Sequence, residues 1–257
     1  MINFYRRIRQ NLLTESKFSK YLIYAIGEII LVVIGILIAL YLNNRNESNT
    51  IHKQQVNYLM LIKQEMINNI KSLDTEKKEL SQTLNSCRKT LNTINSDNQI
   101  NNITEADLSR ALALNISSDI IIQYENGALS QIIYSGGLKD IRNDSIRRIL
   151  ASWEGKINLV RLQEEQVNNA IEKVKNFITK YGEIRNIIED LGMHKKLELD
   201  SSESRGSNKK ILKSKEFENV LIDLFLTGHA LHETEYPEFE KEMQSLINLI
   251  NEELSEK

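Results

Sequence analysis

The hydrophobic pattern divides the chain into one unbroken apolar run followed by long stretches of helical periodicity. From Tyr21 to Leu42 the residues are apolar except for Glu28. The run's core makes about 21 residues of helix, or roughly 31 Å, the thickness of one bilayer crossing. It is longer than the roughly 7- to 15-residue core of a cleaved signal peptide, and it closes in Ile38-Ala39-Leu40-Tyr41-Leu42 rather than in small residues. An uncleaved transmembrane helix over residues 21–43 is therefore expected. Alternating steps of four and three from His52 then pass through Val56, Leu59, Lys63, Met66, Ile70, Leu73, Lys77, Leu80, Leu84, Cys87, Leu91 and Ile94, apolar at all but three positions. A second seam through Ile146, Leu150, Trp153, Ile157, Val160, Glu164, Val167, Ile171, Val174, Ile178, Tyr181, Arg185 and Ile188 is interrupted only by Glu164 and Arg185. Each seam predicts a long helix of about 65 Å, and two of similar length suggest an antiparallel pair that leaves the membrane and returns, packed near +20°.

Between the seams, residues 98–143 break the pattern and form an insertion expected at the membrane-distal end. Thr104 with Asp107 resembles a capping box and starts a short helix through Leu114; Asn126 is positioned to cap another that ends at Gly136-Gly137, and Asn143 or Asp144 to cap the second long helix. Residues 198–210 are polar and short-sided, which reads as a mobile linker lying back near the membrane. A third pass follows, with one stripe through Phe217, Leu221, Leu224, Phe225 and Leu231. Another runs through Phe239, Met243, Leu246 and Ile250, with Pro237 in its first turn. The expected fold is all-α: a transmembrane helix, then a coiled-coil-like antiparallel bundle of three to four helices over residues 44–257.

Composition agrees. One proline and ten glycines in 257 residues leave little turn chemistry for a strand-rich fold, and 41% hydrophobic residues suffice for a core. Net charge is −2 with the signs interspersed, which argues against nucleic acid as a partner. A single cysteine, Cys87, excludes an intrachain disulfide and is neutral on compartment.

Charge changes the picture around the apolar run. Arg6, Arg7, Arg9, Lys17 and Lys20 precede it against Glu15 alone, whereas only Arg45 and Lys53 follow closely, so residues 1–20 are placed in the cytoplasm. Ile2, Tyr5, Ile8 and Leu12 share a helical face that suits either a short interfacial helix or a simple stretch of positive charge. Glu28 costs on the order of 3 kcal/mol to insert, which the Leu, Ile and Val residues after it outweigh at roughly 0.3 to 0.6 kcal/mol each. Glu28, Val32, Gly35 and Ala39 lie on one face, and the small-xxx-small pair Gly35 and Ala39 permits close approach of another helix. Glu28 either moves protons or pairs with a basic group, or it is a neutral or snorkelling acid that only limits packing.

Tyr24-Ala25-Ile26-Gly27-Glu28-Ile29 followed by Leu31-Val32-Val33-Ile34-Gly35-Ile36-Leu37-Ile38-Ala39-Leu40 resembles the hallmark of a family of uncharacterised single-span proteins of Bacteroidota. The Phe4-Tyr5-Arg6-Arg7-Ile8-Arg9-Gln10 start, the Ser135-Gly136-Gly137-Leu138 turn and Asn143-Asp144-Ser145 are also similar to it. Members often carry tryptophan where this chain has Arg45. The resemblance implies an inner-membrane protein with a periplasmic domain, and it brings no assigned catalytic residues.

Candidate chemistry is sparse. His229, His232 and Glu233 form H-x-x-H-E, which matches neither zinc-protease pattern and lacks a distant ligand; a structural role is expected and no metal is assigned. Ser86 with Lys89 and Ser207 with Lys210 satisfy S-x-x-K without its companion motifs. Gly136-Gly137 reads as a helix cap, Cys87 and Trp153 as core, and Glu164 and Arg185 as either register-setting or wet-layer residues. No catalytic or cofactor residue is assigned. The expectation is a non-enzymatic membrane-anchored module that binds an envelope partner or ligand, with the bilayer, a membrane or periplasmic protein, or a second copy as partners. The alternative is a subunit of an energised envelope complex that uses Glu28.

Overall fold

A computed structural model describes residues 18–117 and 119–255, with side chains from residue 21; the basic tail and the amphipathic stretch at 2–13 lie outside the described residues. Helix α1, Phe18–Ile94, contains both the apolar run and the first seam, with no proline and no glycine beyond Gly35 to interrupt it. Two compact units divide at Asn57–Tyr58 within this helix. In the first, every side chain from Ile26 to Thr50 is exposed.

The second unit is also helical, and no strand occurs among the described residues. After α1 come α2 (Asp97–Asn102), α3 (Glu105–Leu114), α4 (Gly127–Tyr134), a 3-10 turn (Gly137–Asp140), α5 (Asp144–Tyr181), α6 (Ile184–Asp190) and α7 (Met193–Lys196). A 3-10 helix (Asn208–Lys213), α8 (Lys215–Ala230), a π-helical turn (Leu231–Glu235) and α9 (Tyr236–Ser255) complete it. Both seams are core: Leu59, Met66, Leu73, Leu80, Cys87, Ile146, Leu150, Trp153, Val174 and Ile178 are fully buried.

The path of the chain differs from the expected return. Cys87 donates its thiol hydrogen to the Leu221 carbonyl (3.2 Å), and Lys77 pairs with Glu240 at 2.8 Å, so α8 and α9 run antiparallel to α1. Lys173 with Asp223 (2.8 Å), the Phe177–Phe217 rings at 5.2 Å and the Trp153–Phe239 rings at 5.9 Å set them antiparallel to α5 as well. The two long helices are therefore parallel to each other within this unit. The return between them is made in steps: α3 runs back along α1, with Ser86 bonded to Ala111 and Thr83 to Leu114, and residues 119–126 continue it as an extended strap whose buried and exposed positions alternate from Ile120 to Glu125. At about 3.3 Å per residue an extended segment covers more than twice the distance of the same length of helix, so no long helix is needed to bring the chain back.

Three further expectations change. Asn126 makes no cap; Glu65 on α1 accepts from the first free amides of α4 instead, Ala128 at 2.5 Å and Leu129 at 3.3 Å. The second seam stops at Tyr181. A Cβ at Gly182 would stand 2.7 Å from the Ile178 carbonyl, and Arg185 beyond it is exposed on α6. Residues 198–210 are fastened to α2, which follows the C-terminal end of α1 in the chain, and to α6: Lys209 donates to the Asn101 carbonyl (2.8 Å), Asn186 to Gly206 (2.7 Å), and Arg205 pairs with Asp190. Other caps hold as read. Thr104 Oγ1 accepts from Asp107 N at 3.1 Å, and Asn143 Oδ1 from Ser145 and Ile146 at 3.0 and 3.1 Å.

The π turn accounts for the spacing of the third pass. Apolar positions advance by three and four to Leu231, then by five to Tyr236, before resuming through Phe239, Met243 and Leu246, all buried. Tyr236 N donates to the Leu231 carbonyl five residues back. Pro237 follows at once; it has no N–H, and its ring clashes with the carbonyl that an α-turn would place against it, which the wider turn relieves.

Candidate functional site

Residues 58–257 hold a groove with a cavity volume of about 590 Å³, lined by α1 and α3 together with Ile103 and Leu212. Its formation follows from small residues at the crossing: Ser86 donates to the Ala111 carbonyl (2.9 Å) and Thr83 to the Leu114 carbonyl (3.3 Å), drawing α3 close along α1. Ile103, Leu108, Ala111, Leu114 and Leu212 make an apolar floor. On the rim stand Lys89 and, across from it in sequence on α3, Arg110 with Asp107. Asp107 is engaged twice, accepting from Thr104 Oγ1 at 2.7 Å and from Arg110 at 3.0 Å, whereas Lys89 forms no ion pair among the described residues. The groove is therefore positive on balance.

A second constellation lies deeper. The strap forms no sheet, so its amides are met by side chains from the helices on either side. Asn168 on α5 grips Ile120 at both backbone groups (2.8 and 3.0 Å), and Asn69 on α1 grips Glu125 in the same way (2.7 and 2.8 Å). Ile121 N donates to Glu76 (3.3 Å) and Ile122 N to Glu164 (2.9 Å). Glu164 is 2% exposed and also accepts from the Tyr236 hydroxyl (3.0 Å) and from Arg161 (3.2 Å). Burial pushes the carboxyls of Glu164 and Glu76 up from the usual range against these hydrogen bonds, and burial together with the neighbouring carboxylate pushes the Tyr236 phenol up as well. These groups are consumed in holding the main chain, and Glu164 interrupts its seam because it reaches the strap in a dry layer.

Other candidates are dispersed. His229 packs against the Phe225 ring at 5.9 Å, and His232 Nδ1 lies 2.7 Å from Glu233 Oε1. Cys87 is fully buried, and burial pushes its thiol up to about 12. Trp153 donates its indole N–H to the Tyr124 hydroxyl inside the core. Ser207 accepts from Lys209 N at the start of its 3-10 helix, while Ser86 and Lys89 share the groove wall. Glu28, Val32, Gly35 and Ala39 lie on one exposed face of α1, with open space around Gly35 where a Cβ would be. Sequence reading passed over Asn69, Asn168, Glu76 and Arg110. The first two stand one step off the seams, where a polar residue looks solvated.

The chain belongs to a family of unknown function, DUF6090, whose model matches residues 28–190, from the apolar run through the strap to the end of α6. No curated protein and no solved structure matches it.

Proposed function

We propose that this member of the family is a single-span inner-membrane protein with residues 1–20 in the cytoplasm and a periplasmic helical bundle that binds an envelope ligand or partner through the α1–α3 groove, without catalysis. The groove carries this reading: an apolar floor with an uncompensated cation at its rim is a binding surface in chemistry and in size. Its hydroxyls do not form a nucleophile–base pair, since Ser86 and Thr90 donate to backbone carbonyls. The membrane assignment rests on the exposed apolar run, of mean hydropathy 2.7, and on the cations before it. The inner-membrane and periplasmic assignments rest on the family resemblance.

The experiment pairs topology with occupancy. A cytoplasm-active reporter should work at the N-terminus and a periplasm-active one at the C-terminus, and a photoreactive side chain at Asn85 should form adducts in intact cells that the same group at exposed Leu159 does not. Inverted reporter activity removes the topology. Equal adducts at both positions, or none, remove the groove.

The second reading is a subunit of an energised complex. It is favoured by one observation: Glu28 projects from a segment of exposed apolar side chains, where an intramembrane acid commonly faces protein and serves a function.

A further inference from the structure

We propose, resting on the reading of the α1–α3 groove as the binding site, that its ligand is a single-chain amphiphile with an anionic head, of which a fatty-acyl carboxylate is the simplest case. The lining hydroxyls point to this class. Ser86 donates to Ala111 O at 2.9 Å, Thr90 to Ser86 O at 3.0 Å and Thr93 to Lys89 O at 2.9 Å, so none has its hydrogen free for a guest. A sugar or an extended peptide brings a row of donors and acceptors, for which the groove offers, besides its charged rim, only the Gln82 and Asn85 carboxamides at its exposed edge, so that groups buried deeper go unmet at a cost for each. An alkyl chain asks for nothing but contact, and Ile103, Leu108, Ala111, Leu114 and Leu212 supply it. Charge fixes the head. Asp107 is occupied by Thr104 and Arg110, which leaves the Lys89 ammonium as the uncompensated group at the rim. A volume of about 590 Å³ falls within the roughly 300 to 1,000 Å³ of small-molecule sites.

The test uses the full chain in lipid nanodiscs and a dodecanoate carrying a diazirine at its chain end, with labelled peptides mapped by mass spectrometry. Labelling is expected within residues 82–93 and 103–114, displaced by unlabelled dodecanoate and much more weakly by dodecanol. Shortening the competitor by two methylenes should weaken it about 10-fold. Lys89→Gln should weaken dodecanoate about 5-fold and leave dodecanol unchanged, while Ala111→Trp should abolish labelling with the melting temperature retained. Labels confined to residues 21–43, or equal competition by dodecanol and dodecanoate, overturn the proposal. If Ala111→Trp removes the adducts formed from Asn85 in cells while the dodecanoate probe never labels the groove, the amphiphile falls and the groove stands as a site for another ligand; if neither occurs, both fall.

Discussion

Glu164 holds the Ile122 amide, the Tyr236 hydroxyl and the Arg161 guanidinium at once from a position that is 2% exposed. Its place on an otherwise apolar seam made it conspicuous, but periodicity cannot distinguish a wet layer from a dry one in which the carboxylate serves a distant amide. Asn69 and Asn168 left no signal at all, because the backbone they bind is 56 and 48 residues away. Lys89 stands out in the sequence only as part of an S-x-x-K match without companion motifs, and Arg110, on the same groove, belongs to a helix whose position the sequence leaves open. Glu164 also gives a pH prediction. Its carboxyl and that of Glu76 are raised in the folded protein above the ordinary 4.5, so the folded state holds those protons more tightly than the unfolded state. The associated stabilisation is full below about pH 4.5 and is lost as pH rises through the folded values. The melting temperature of the wild type should accordingly carry a downward contribution above pH 4.5, and Glu164→Gln should have a shallower slope with a neutral-pH stability within about 1 kcal/mol. Glu164→Ala, which strands the Ile122 amide and the Tyr236 hydroxyl, should cost about 2 to 4 kcal/mol. A slope unchanged in Glu164→Gln would mean that the acid does not titrate with folding.

Among the elements, helices were legible and their mutual directions were not. Heptad seams, the Thr104 and Asn143 caps and the α3 boundaries follow from local chemistry, which the sequence displays directly. Direction depends on how the chain returns, and the strap could not be recognised because residues 119–126 resemble a strand with no partner strand. The five-residue step between Leu231 and Tyr236 was visible as two separate stripes, although the helix is continuous through the π turn. Close packing of α8 on α1 is tested at Gly228, where a Cβ would meet Leu84 Cδ2 at 2.9 Å. Alanine should be tolerated, since the end of the Leu84 side chain can move. Gly228→Leu should destabilise by about 2 kcal/mol or more, with partial rescue by Leu84→Ala. Calorimetric melting of the three variants is the measurement; a Gly228→Leu melt matching wild type would rule out the approach.

For the whole molecule, the sequence made the apolar run and the all-α class plain, while what binds to the protein stayed hidden because the groove arises from helices brought together only in three dimensions. The exposed face of α1 decides between the two proposed functions. If Glu28 limits packing only, Glu28→Gln should leave crosslinked complexes at wild-type yield, while Gly35→Leu, filling the open space beside Gly35, should reduce them several-fold at matched membrane levels. Loss of the complex in Glu28→Gln alone would favour the energised-complex reading. The strap, finally, gives assembly an order in time. As the chain is made, Glu65, Asn69 and Glu76 exist before residues 119–126 appear, whereas Glu164 and Asn168 arrive some 40 residues later and Tyr236 later still. Half of the clasp is thus already made when the nascent strap emerges and the other half is not, so synthesis presents the strap to α1 before α5 exists to close over it.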